Sequence, residues 1–166
     1  MSLIGIEKDA ERLTLTVTME YDVTAERAWR LWDDPRQLER WWGPPTYPAT
    51  VETHDLRPGG SVTYFMTGPE GDQPRGYWEV LEVEAPRRLV VRDGFADADG
   101  APIDALPQTV MTVSIADRDG GGVRVIISSL FPSLDALEQL VAMGMEEGLR
   151  LAIGQIDELL VEDAAA

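Results

Sequence analysis

Between residues 49 and 130, four clusters of turn residues cut the chain into runs too short for helices. The clusters are Arg57-Pro58-Gly59-Gly60, Gly68-Pro69-Glu70-Gly71, Ala85-Pro86-Arg87 and Asp119-Gly120-Gly121-Gly122. Proline and glycine supply the φ values that tight turns need, and neither continues a helix. The runs between them are rich in Val, Thr, Ile and aromatic residues, which suit half-buried strands. They predict strands at 49–56, 61–67, 76–83, 89–93, 109–116 and 123–130. A seventh precedes them: across 12–21, Leu13, Leu15, Val17, Met19 and Tyr21 alternate with Thr14, Thr16 and Thr18, the period of a strand with one wet face. The stretch 94–107, acidic and without periodicity, is predicted as the longest loop.

Helices flank this meander. Thr24 is placed to cap a helix starting at Ala25, with Glu26 in the first turn and Ala28, Trp29, Leu31 and Trp32 on the apolar side. Asp34-Pro35-Arg36-Gln37 reads as a second start: a cap, a proline at the first helical position and a Gln three residues after the cap. Trp41-Trp42-Gly43-Pro44-Pro45 ends it. After Ser133, apolar residues recur at helical spacing from Leu134 to about Val161. At ~1.5 Å per residue that helix would be roughly 40 Å long, so it must lie across the sheet. The order of one strand, two short helices, six strands and a long helix does not alternate as parallel α/β folds do. It predicts an α+β fold: a seven-stranded curved antiparallel sheet wrapped around a long C-terminal helix, in one domain spanning 1–166.

Composition then narrows the function. No cysteine is present, which removes disulfides, thiol nucleophiles and thiolate metal sites, and suits a reducing cytoplasmic setting. Glu7, Asp9 and Glu11 interrupt any secretion-signal core, and no run reaches the ~18 apolar residues of a membrane span. A net charge of -16 repels phosphate backbones and anionic lipid, so neither nucleic acid nor membrane is an expected partner. His54 is the only histidine, so a multi-histidine metal site is impossible. Asp97-Ala98-Asp99-Gly100 lacks the further ligands of a calcium loop, and Gly120-Gly121-Gly122 precedes a strand rather than a phosphate-binding helix. No metal and no cofactor is expected.

Five motifs stand in a specific order: Ala25-Glu26-Arg27-Ala28-Trp29, Trp41-Trp42-Gly43-Pro44, Asp55-Leu56-Arg57-Pro58-Gly59-Gly60, Pro86-Arg87-Arg88-Leu89 and Met143-Gly144-Met145-Glu146-Glu147-Gly148. Their series, from about Leu13 to Leu160, resembles START-like proteins of the SRPBCC superfamily, in the bacterial branch related to the activator of the heat-shock-protein-ninety ATPase. The resemblance implies a helix-grip fold with an internal cavity. The superfamily holds carriers of lipids and hormones, polyketide cyclases and dehydratases, and oxygenase domains, so the fold does not by itself choose a function. A chaperone partner is implied only weakly, because the eukaryotic activators carry an additional N-terminal domain.

The expected ligand contacts are Trp41, Trp42, His54, Tyr64, Met66, Trp78, Met111, Met145 and Gly148. Tyr64 and Met66 share a strand face with Val62, as Met111 does with Val113 and Ile115. Tryptophans more often build cores than contact ligands, and Trp29 and Trp32 are read that way. Methionine fits irregular apolar guests and irregular gaps equally well. Gly144 and Gly148 each cost a helix roughly 1 kcal/mol, so close packing or room for a ligand is expected there. The reading favoured is a non-enzymatic module for a small apolar or amphipathic ligand, anchored by Tyr64 or His54, with no catalytic residue assigned. A cyclase- or dehydratase-type enzyme with a pocket carboxylate or His54 as acid and base is the alternative, and a chaperone-activating domain ranks third. Monomer and homodimer both stay open.

Overall fold

Side-chain caps start each helix where the sequence places one. In the computed structural model, which describes residues 2–165 and leaves Met1 and Ala166 outside, Thr24 Oγ1 accepts from the Arg27 backbone N–H at 3.2 Å. It opens α1 (Ala25–Asp33). Asp34 Oδ1 accepts from Arg36 N–H at 2.9 Å, ahead of α2 (Pro35–Trp41). Gln37 does not complete a reciprocal cap; its Oε1 accepts from the Arg27 guanidinium at 2.8 Å and ties α2 to α1. Ser133 Oγ accepts from Ala136 N–H at 3.0 Å and starts α3 (Leu134–Ala142).

The sheet has eight strands rather than seven. The chain runs β1 (Leu3–Asp9), β2 (Thr14–Tyr21), the two helices, β3 (Ala49–His54), β4 (Ser61–Met66), β5 (Arg75–Glu84), β6 (Arg88–Ala96), β7 (Thr109–Asp117) and β8 (Val123–Leu130). The added strand is β1. It lies at one edge, is largely exposed, and carries a bulge between Leu3 and Gly5, so its apolar residues do not alternate. Asp9 turns the hairpin by accepting from the backbone N–H of Glu11 and Arg12 at 3.0 Å each.

The strand order is β1-β2-β8-β7-β6-β5-β4-β3, antiparallel throughout. β6 continues to Ala96, because Gly94, Phe95 and Ala96 pair with Tyr77, Gly76 and Arg75. The predicted loop is therefore three residues shorter at its start, and an isolated Ala96–Pro102 bridge folds it back.

The C-terminal helix is not continuous. Gly144 adopts a left-handed φ of 93° and ends α3, and α4 (Met145–Ile153) begins after it. A second break at Gly154 precedes α5 (Ile156–Ala165). There the Gln155 side-chain amide donates to the Gly43 carbonyl at 2.7 Å, holding the helical run against the end of α2. Apolar periodicity carries across both breaks because each segment packs on the same sheet. Leu137 and Leu140 of α3 meet Leu15 and Phe131, while Ile153, Ile156, Leu159 and Leu160 join the main core. The architecture is the helix-grip α+β fold, with the helical run segmented. Among the described residues no helix is long and apolar enough to cross a membrane.

Candidate functional site

Alternation on the inner strands decides which side chains can meet the helical run. Val62, Tyr64 and Met66 of β4 share one face, as do Leu89, Val91, Asp93 and Phe95 of β6. Leu89 and Val91 are fully buried in the main core, so the next residue on that face, Asp93, is a carboxylate at a core position. Asp93 pairs with Trp78 on β5 and with Thr109 on β7. Met111 lies opposite Ser129 of β8.

Over this face the break at Gly144 leaves a cavity of about 280 Å³. The sheet contributes Tyr64, Met66, Asp93, Phe95, Thr109, Met111, Ile127 and Ser129. Helices contribute Leu140, Met143, Met145, Gly148, Leu149 and Ala152, and Trp42 and Pro44 close the side beyond α2. The walls are mostly apolar. The lining residues with polar side-chain groups other than the indole are Tyr64, Asp93, Thr109 and Ser129. Met143 both lines the cavity and is largely exposed, which puts it at the opening.

Six of the nine expected contacts line this space: Trp42, Tyr64, Met66, Met111, Met145 and Gly148. The structure puts three elsewhere. Trp41 is wholly buried and its Nε1–H donates to the Leu31 carbonyl at 2.9 Å, so it fastens α2 to α1. His54 Nε2 bonds the Trp32 carbonyl at 2.8 Å, which makes Nε2 the protonated nitrogen and takes the ring away from the cavity. An acid–base role for His54 in the cavity is thereby removed. Trp78 stands behind the wall, fully buried and perpendicular to Trp42 with ring centroids 5.0 Å apart. Edge-to-face contacts continue from Trp42 to Trp41 at 5.5 Å and from Trp41 to Trp32 at 5.3 Å. This file of indoles holds the Trp42 ring at the cavity edge.

Asp93 is the residue that sequence reasoning missed. Its signal was parity: with Leu89 and Val91 facing inward, Asp93 must do so too. The Tyr64 hydroxyl donates to Asp93 Oδ1 at 3.4 Å, a long contact. Tyr64 crosses β5 to reach it, which is possible because Gly76 lies beneath; a Cβ there would stand 2.5 Å from Tyr64 Cζ. Among the described residues no arginine, lysine or histidine pairs with Asp93. Burial pushes the Asp93 carboxyl up to about 7, against which the Tyr64 hydrogen bond pulls slightly down. Burial first, and the neighbouring Asp93 charge second, push the Tyr64 phenol well above its ordinary value, so it remains a neutral donor. The Trp42 indole pulls that phenol down a little, although its N–H falls short of hydrogen-bond geometry and has no partner. The site thus offers an apolar chamber and one carboxyl whose midpoint is raised to about 7.

The chain shares this fold with bacterial proteins of known structure. It is 46% identical to protein Ms6760 from Mycobacterium smegmatis, covering 95% of this chain and 96% of that one, with a TM-score of 0.87. A protein from Arthrobacter aurescens is 47% identical over 96% of this chain and 92% of its own, with a TM-score of 0.91. A Rhodobacter sphaeroides protein, at 22% identity and a TM-score of 0.80 over 95% and 98% of the two chains, shares the fold alone. A search of curated proteins gives no match. The family described as activator of Hsp90 ATPase homolog 1-like protein matches residues 22–161, nearly the whole length, and the chain belongs to that family.

Proposed function

We propose that this chain binds a small hydrophobic or amphipathic molecule in the cavity between sheet and helical run. The carrying observation is a chamber of about 280 Å³ whose apolar walls hold one isolated carboxyl–phenol pair. Ligand sites of roughly 300 Å³ and above have this makeup: apolar lining for affinity and a few polar groups for orientation. The cavity's size suits a guest at the small end of that range.

Native mass spectrometry after incubation with chemically varied apolar molecules tests the reading. Retained guests are expected, and Trp42 fluorescence should change with occupancy. Gly148→Phe, which projects a ring from α4 into the cavity, should abolish retention while leaving the far-ultraviolet circular dichroism unchanged. Failure of every guest to be retained would overturn the reading.

The neutral-range carboxyl of Asp93 favours one second reading, an acid–base enzyme of cyclase or dehydratase type in the same cavity. Guests recovered chemically unchanged support binding alone. A guest converted by the native chain and not by Asp93→Asn supports the enzyme.

A further inference from the structure

A carboxylate inside an apolar chamber is unfavourable unless a positive charge accompanies it. Among the described residues none accompanies Asp93. Of the residues lining the cavity, Asp93 and Tyr64 alone are titratable, and none is basic. β4 presents Tyr64 to Asp93; β5 and β7 present Trp78 and Thr109 across the ladder; α4 presents Met145, Gly148 and Leu149. Charge balance at this site must therefore come from a proton or from a guest.

Aromatic side chains strengthen the second option. Trp42, Tyr64 and Phe95 all line the chamber. Ring faces attract cations most when the site is shielded from water. An anionic head would meet a carboxylate and no basic residue. The overall charge of -16 also favours the approach of a cation.

We propose that the cavity selects a guest with an ammonium head on an apolar body, Asp93 serving as its counter-ion and Trp42, Tyr64 and Phe95 as its aromatic surround. The proposal rests on the cavity-binding reading and names the guest's chemical class. Tyr64 keeps its hydroxyl on Asp93 and orients the carboxylate toward the chamber. Selection is then linked to pH, because the cation pairs with the ionised carboxylate. With a midpoint of about 7, the ionised fraction rises from about 3% at pH ~5.5 to about 97% at pH ~8.5, roughly 30-fold.

The test compares decyltrimethylammonium, 1-decanol and decanoate, each below its aggregation limit, by calorimetry on the intact chain. The trimethylammonium head keeps its charge at every pH used, so any pH dependence of its binding reports on the protein. At pH ~8.5 the ammonium compound should bind about tenfold or more tighter than the alcohol, and decanoate should bind weakest. Most of that advantage should be lost at pH ~5.5, where only about 3% of the carboxyl is ionised, and all of it in Asp93→Asn. Equal affinity for ammonium and alcohol in the native chain, with both lost in Gly148→Phe, would overturn the ammonium selection and leave the cavity reading standing. Full ammonium affinity in Asp93→Asn would show a surface charge effect and overturn it too. Absence of binding by all three would overturn both.

Discussion

Replacing Asp93 by Asn should make the protein more stable at neutral and alkaline pH, and the size of the gain follows from the site. In the unfolded chain the carboxyl titrates near its ordinary 3.8, and in the folded chain near about 7. Well below pH 3.8 both states hold the proton, and the contribution to stability is fully present. As pH rises, the unfolded chain loses its proton first, so stability falls by up to about 1.36 kcal/mol per pH unit until the folded carboxyl ionises. Across about three pH units the total is on the order of 4 kcal/mol, an upper bound because Asp93 is half-buried and partly screened. Asn is nearly isosteric and cannot ionise. Urea unfolding followed by tryptophan fluorescence, from pH ~4 to pH ~9, should give a variant-minus-native difference that climbs by about 2–4 kcal/mol and levels off above pH ~8. The other acidic residues titrate in both proteins and cancel in the difference. A flat difference curve, or a carboxyl resonance of Asp93 titrating near 4 by nuclear magnetic resonance, would refute the reasoning.

Two further perturbations probe how the cavity is built. Gly76→Ala places a methyl 2.5 Å from Tyr64 Cζ, so the phenol must swing off β5; a loss of about 1–3 kcal/mol is expected on thermal unfolding, with the Asp93 midpoint moving up as its hydrogen bond is lost. No upward movement would mean that Tyr64 does not control Asp93. Gly144→Ala and Gly148→Ala should act in opposite directions, although neither added Cβ would meet an atom within 4 Å. At φ 93° alanine costs about 1–2 kcal/mol, whereas in the α4 interior it gains up to about 1 kcal/mol; stabilisation by both would mean an unbroken helix.

Much of the fold was legible because strands and caps are written locally. Thr24, Asp34 and Ser133 cap the helices predicted for them, since a short side-chain oxygen before an apolar helical run has few other uses. β1 was not legible: Ile4 is exposed, the bulge breaks the alternation, and the strand is defined by its pairing with β2. The break at Gly144 was hidden for the converse reason, because the apolar stripe continues on both sides of it. Within the site, Trp41 and Trp42 are neighbours of identical chemistry, and only the tertiary position of α2 sends one indole to the Leu31 carbonyl and the other to the cavity. His54 stands out in the sequence as its lone histidine, a compositional feature that carries no geometry.

The cavity depends on side chains that are absent as much as on those present. A leucine at 148 would project into the chamber, since the space beside the missing Cβ is empty for 4 Å. A side chain at 76 would expel Tyr64 from its path across β5, and the Asp93 carboxyl would lose its hydrogen bond from the Tyr64 hydroxyl. The left-handed turn at Gly144 stops α3, and the cavity is bordered on the helical side by Leu140, Met143 and Met145 around that break. Gly148, in the interior of α4, forgoes helix stability of up to about 1 kcal/mol relative to alanine. A protein selected for packing alone would gain by filling position 148 and replacing Asp93 with an apolar residue. Two choices unfavourable for packing, Gly148 and Asp93, border one 280 Å³ space, and their coincidence supports the proposed binding reading.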